Sequence, residues 1–203
     1  ITTIALSVNM ISFLPLLGLS DGTAILVGQY IGKERHDIAE KLAYRAWHLA
    51  AAYMMLAGVV FLSCPEFLIR QFTPDSIAPG ALAAMIATGS AILACAAVYN
   101  FFDATKFIFM GALRGAGDTR VLMFICISCA WLIQLPGVLV LITLCRAGII
   151  AVWIYMSFYL AIESLLVLWR FRASRWKSIR MLEQPSPPPL ESIVEAGQPL
   201  PIE

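Results

Sequence analysis

The sequence predicts an all-α membrane protein, a polytopic helical bundle of about five transmembrane helices, and three observations carry that prediction. The chain is 60% hydrophobic and only 13% charged, with a mean hydropathy of +0.82. Soluble domains carry about 25% charged residues, and a soluble core of this size could not hide so much apolar surface. Five apolar runs reach the ~20 residues that a helix needs to cross a hydrocarbon core. None alternates with a period of two, and each is too long and too uniform for a barrel strand.

The first span is expected at about residues 4–31, interrupted by Asp21 and bent at Pro15 and Gly18. The second, about 46–63, stops at Cys64-Pro65, because proline cannot donate to the helical ladder and pushes its predecessor out of the α region. The third, about 81–113, is roughly 50 Å long at ~1.5 Å per residue. That exceeds a core of about 30 Å, so it must tilt or project. The fourth covers about 121–144, with a kink expected at Pro136-Gly137. The fifth covers about 148–169 and contains Glu163. Residues 1–172 thus form the transmembrane unit, and 173–203 a tail. From about residue 182 that tail is Pro-rich and acidic, and too poor in apolar residues to fold.

Spans one, three and five run in one direction and empty into KERHDIAEKLAYR, RGAGDTR and RFRASRWKSIR, which hold eleven of the fourteen Lys and Arg residues. The positive-inside bias places these loops and the C-terminus in the cytoplasm. Trp47, Trp153, Trp169 and Trp176 fall near helix ends, where interfacial aromatics belong. The chain begins ITTIALSVNM, with neither an initiator Met nor a basic n-region, and so reads as a piece of a longer protein. An odd number of spans ending inside likewise calls for a helix upstream.

The charges inside the spans are the candidate functional residues. A charge left on the lipid face near the bilayer centre costs about 2.5–3.5 kcal/mol on insertion scales, so Asp103 should face the bundle interior or water. Lys106, three residues on, shares its helix face and can pair with it. The two either neutralise each other near the interface, with Lys106 snorkelling, or Asp103 marks an ion or proton site. Asn100 and Tyr99, about one turn earlier, can supply oxygens or hydrogen bonds to the same cavity. Asp21, flanked by Ser20, Gly22 and Thr23, lines a cavity with Thr23 or caps a broken helix. Glu163 reads as interfacial, paired with a base such as Arg170. His36 and His48 read as solvated or interfacial.

The five cysteines read as packing residues, and the C-x-x-C of Cys126 and Cys129 lacks the βαβ context of a redox motif. The chain contains no H-E-x-x-H, G-x-S-x-G or G-x-x-x-x-G-K-[ST], so no catalytic residue is assigned and the protein is not expected to be an enzyme. RGAGDT reads as a tight turn in which Asp118 or Thr119 caps the next helix.

Two stretches together resemble a known family. GLSDGTAILVGQYIGKERHDIAEKLAY is similar to the small-residue helix, V-G-Q-x-x-G turn and Ala-rich segment of the multidrug and toxic compound extrusion (MATE) transporters. FDATKFIFMGALRGAGDTR is similar to that family's later signature, an acid on a helix followed by G-x-L-R-G-x-G-D-T, at matching separation. The resemblance covers roughly residues 1–172. It implies half of a twelve-helix, two-lobe antiporter that exports amphipathic, often cationic drugs or metabolites in exchange for inward Na⁺ or H⁺. The five spans would be the last five of the second lobe. Asp103 would fall where members with a cation site carry an acidic ligand, with Lys106 as its neighbour or competitor.

The resemblance further implies a bacterial-type inner membrane. The partners would be a small-molecule substrate, membrane lipids and the first lobe of the same protein, with no nucleic acid and no cofactor beyond the coupling ion. Gly18, Gly22, Gly28 and Gly32 carry G-x-x-x-G spacings suited to close helix packing. A lipid-linked saccharide flippase of the same superfamily is the alternative within transport, although such proteins usually line their cavity with several basic residues. A non-transporting membrane scaffold is the alternative outside it.

Overall fold

The computed structural model describes residues 2–71, 79–143, 146 and 148–178, and the segment expected to be disordered from about 182 lies outside them. The described residues form seven α-helices and no strand: α1 (Thr2–Gly32), α2 (His36–Ser63), α3 (Pro65–Gln71), α4 (Pro79–Gly115), α5 (Thr119–Cys129), α6 (Leu135–Thr143) and α7 (Ile149–Arg172). A π-helical turn, Ala130–Gln134, joins α5 to α6, and a 3₁₀ turn, Arg175–Ser178, follows α7. Five stretches are long and apolar enough to cross a membrane: Asn9–Gly32, His36–Ser63, Ala83–Gly115, Thr119–Thr143 and Ile149–Arg172. The protein is a multi-pass membrane bundle.

The breaks follow from local chemistry. α2 ends at Cys64, whose φ of −131° leaves the helical region, and Pro65 opens α3 at the first helical position, where its missing N–H costs nothing. α4 ends in a Schellman motif: Gly117 N–H donates to the Arg114 carbonyl and Asp118 N–H to the Leu113 carbonyl, each at 3.0 Å. Gly117 adopts φ +78°, which a residue with a Cβ rarely tolerates. The RGAGDT turn is thus explained, but the expected capping is not observed. The Asp118 side chain makes no cap bond; its carboxylate is drawn to Arg170 instead.

α1 continues unbroken through Pro15, Gly18 and Asp21, so Asp21 caps no helix end. In the fourth span the disturbance lies in the π turn just before Pro136, where the missing proline N–H already interrupts the ladder. The Tyr155 hydroxyl of α7 donates to the Ile133 carbonyl in that turn at 2.5 Å.

α4 is the centre of the bundle and packs against α1, α2 and α7, while α5 and α6 lie against α7. Lipid tails are as apolar as leucine, so close approach, not water exclusion, drives helix association in a bilayer. The structure places the closest approach differently from the spacing on α1. A Cβ at Gly18, Gly22 or Gly32 would meet nothing within 4 Å. The contact is made by Gly111 and Gly115 of α4, where a Cβ would run into the backbone of Ser20 and Ala24; Gly28 meets the Gly115 carbonyl, its Cβ position 3.1 Å away. Ser20, Ala24 and Gly28 recur every fourth residue on α1 and face Gly111 and Gly115 on α4, and the Ser20 hydroxyl donates to the Phe107 carbonyl at 2.7 Å.

This seam gives a direct test. Gly115→Ala should destabilise the detergent-solubilised full-length protein by about 1–3 kcal/mol, the usual cost of overpacking. Gly22→Ala should be neutral or gain ~0.5–1 kcal/mol of helix propensity. A thermal melt in which Gly115→Ala unfolds no earlier than Gly22→Ala would contradict the seam.

The tryptophans divide. Trp169 is 67% exposed at the end of α7, as an interfacial residue should be. Trp153 is buried and stacks on Tyr99. Trp176 is buried, stacks on Phe171 and donates its indole N–H to the Phe171 carbonyl. The Trp47 indole donates to the Thr105 hydroxyl at 3.0 Å. The expected interfacial role is corrected for Trp153 and Trp176: packing inside the bundle claims both rings.

Candidate functional site

Two turns of α4 carry Tyr99, Asn100, Asp103 and Lys106, and residues three or four apart on a helix share a face. That face points inward. Asn100 is 1% and Asp103 6% exposed, and Tyr99 is buried with its ring 6.1 Å from that of Trp153 on α7. The Asn100 Nδ2 has no hydrogen-bond partner among the described residues. Among the described residues no hydrogen bond reaches the Asp103 carboxylate; its charged neighbours are Lys106 and Glu163. A buried carboxylate is costly unless satisfied, so Asp103 is the group on this turn that a cation or a proton would neutralise.

Lys106 does not pair with Asp103. Its ammonium donates to Glu163 Oε2 on α7 at 2.7 Å, and the two side chains are 15% and 2% exposed. Glu163 is paired with a base, as expected, but that base is Lys106 and not Arg170. α4 and α7 run the same way, and each residue of the pair lies nine positions before the last residue of its helix. The two charges therefore meet at matched depth, where a buried carboxylate can take only the nearest cation. Arg170, two turns further along, donates to Asp118 Oδ2 at 2.6 Å, with side chains 13% and 4% exposed. Cys126 of α5 and Tyr159 of α7 lie beside Glu163.

Asp21 and Thr23 do not share a cavity. Asp21 is largely exposed and accepts from Arg114 at 2.7 Å, in a shallow depression with Ala24, Ile25 and Gly115. Thr23 is buried and its hydroxyl donates to the Leu19 carbonyl of its own helix at 2.7 Å. Positions two apart on a helix diverge by more than half a turn, which separates them. An exposed pair such as Asp21–Arg114 contributes only about 0–1 kcal/mol.

The structure therefore brings together Tyr99, Asn100, Asp103 and Lys106, adds Glu163, and leaves out Asp21 and Thr23. Matched depth with Lys106 on a parallel span was the one signal in the sequence that pointed to Glu163, and Asp103 three residues from Lys106 masked it. The Gly111-x-x-x-Gly115 spacing carried the same kind of signal for the α1–α4 seam. Among the described residues no three His, Cys, Asp or Glu side chains are grouped to hold a metal ion. The chemistry on offer is exchange of a monovalent charge among two carboxylates and one ammonium.

The MatE family model matches residues 1–140. A probable multidrug resistance protein NorM of Thermotoga maritima is 28% identical over 88% of this chain and 37% of its own length. A probable NorM of Mesorhizobium japonicum is 31% identical over 83% of the chain and 36% of its own length. A probable NorM of Pseudomonas aeruginosa is 30% identical over 88% and 36%, respectively. The chain spans little more than a third of the length of these relatives.

Proposed function

The chain belongs to the MatE family, and from that premise we propose that it works as part of a secondary efflux transporter. In this reading an amphipathic, often cationic drug or metabolite leaves the cell in exchange for inward Na⁺ or H⁺ by alternating access. The observation that carries the reading is the buried Asp103 on the central helix, whose carboxylate accepts no hydrogen bond among the described residues. Each access state must differ in affinity for the coupling ion if that ion is to drive the cycle. A carboxylate that changes its surroundings as helices rock supplies such a difference. The partners are the substrate, lipids and the remaining helices of the full-length protein, and the location is a bacterial-type inner membrane.

The cytoplasmic orientation of the C-terminus is part of the same proposal. It is supported by the charge distribution along the sequence, with eleven of the fourteen Lys and Arg residues at the ends of spans one, three and five.

The test is efflux of a fluorescent cationic dye from proteoliposomes of the full-length protein under an imposed Na⁺ or H⁺ gradient. One of the two gradients should accelerate efflux well above the rate without a gradient. If neither does, antiport is overturned and the flippase or scaffold reading takes its place.

A further inference from the structure

The Lys106–Glu163 pair stands beside Asp103, and the coupling reading above gives it no part. The groups gathered there are Asp103 and Lys106 from α4, Glu163 and Tyr159 from α7, and Cys126 and Cys129 from α5. Lys106 stands three residues after Asp103 on the same helix, within reach of its carboxylate by rotamer change alone. In the structure its ammonium is held 2.7 Å from Glu163 Oε2. One ammonium thus has two candidate carboxylates and is committed to the one on the neighbouring helix.

We propose that Glu163 is a positioning residue for cation coupling: by holding the Lys106 ammonium on α7, it keeps Asp103 available to the coupling cation. The charge count supports this. With both carboxylates ionised, two negative charges and one tethered positive charge leave a deficit that one monovalent cation or one proton neutralises. If the ammonium moves to Asp103, the coupling cation must displace a covalently tethered competitor, and the α4–α7 tie is lost in the same step. Burial makes the competition strong, since a buried charge without a countercharge is costly and close pairs couple strongly in such surroundings. The inference rests on the reading of Asp103 as the cation's ligand.

The experiment measures the initial rate of dye efflux from proteoliposomes of the full-length protein against external NaCl, and in a parallel series against external pH. The proteins are wild type, Asp103→Asn, Glu163→Gln and the double variant Glu163→Gln with Lys106→Gln. Glu163→Gln should raise the half-saturating concentration of the driving cation at least about tenfold, the effect of one close charge pair, by releasing Lys106 onto Asp103. The double variant has no ammonium to compete and should return to within about threefold of wild type, a residual expected of a neutral hydrogen-bonded pair. A purely structural role for Glu163 would lower the maximal rate and leave half-saturation in place.

The inference is overturned if Glu163→Gln keeps the wild-type half-saturation, or if the double variant is no better than the single one. Should Glu163→Gln fail to fold, the double variant decides alone: wild-type-like half-saturation supports the inference, and a folded double variant without cation dependence overturns it. Failure of the underlying reading looks different, because Asp103→Asn would then keep full cation dependence.

Discussion

Asp103→Asn should reduce gradient-driven dye efflux by the full-length protein to the rate measured without a gradient, while expression and folding stay intact. Coupling between two ligands is a free energy, typically about 1–3 kcal/mol or about 5–150-fold in affinity. If a single buried carboxylate supplies it, removing the charge removes most of that factor. Asparagine has nearly the same shape and keeps one carbonyl oxygen, so the packing around this buried position is preserved. Stability should hold or improve, because the variant no longer buries a carboxylate without hydrogen bonds. A folded Asp103→Asn protein with unchanged driven efflux would make the residue structural and move the coupling site elsewhere.

The second large effect concerns stability. Asp118 is 4% exposed and accepts from the Arg170 guanidinium at 2.6 Å, joining the α4–α5 turn to the end of α7. Asp118→Ala leaves a largely buried guanidinium without its countercharge. Breaking a buried pair from one side costs about 3–5 kcal/mol. Removing both charges, with Asp118→Ala and Arg170→Met, should recover most of the loss, since the penalty comes from the orphaned charge more than from the missing attraction. Thermal unfolding of the four proteins in detergent closes the cycle. A single variant as stable as wild type, or a double variant no better than Asp118→Ala, would show that the pair does not hold this end of the bundle together.

The five apolar runs were legible because hydropathy and the missing proline N–H act locally, but α2 begins at His36, well before the expected start near 46, so most of the charged stretch read as a loop is helical. Cys64-Pro65 ended α2 and Pro136 disturbed the fourth span, with no tertiary information needed. The inward direction of Asp103 was legible too, from the cost of exposing a charge to lipid. What stayed hidden depends on which helix lies beside which. Lys106 had one carboxylate three residues away in sequence and a better one 57 residues away in sequence but 2.7 Å away in space. The glycine spacing on α1 was genuine, but Gly18 and Gly22 face no neighbour among the described residues, and the equivalent spacing on α4 makes the contact. Trp176 lies past the end of α7, as an interfacial residue would. Only its stacking on Phe171 shows that it closes the bundle from within.

The measurement that tests the central claim most directly compares two activities of the same Asp103→Asn proteoliposomes: gradient-driven dye efflux, and dye-for-dye exchange with no gradient. Exchange needs a folded protein, a substrate site and alternating access, whereas driven efflux needs the coupling ion as well. Exchange should run near the wild-type rate and driven efflux at the level without a gradient. Driven efflux that survives alongside exchange would contradict that claim.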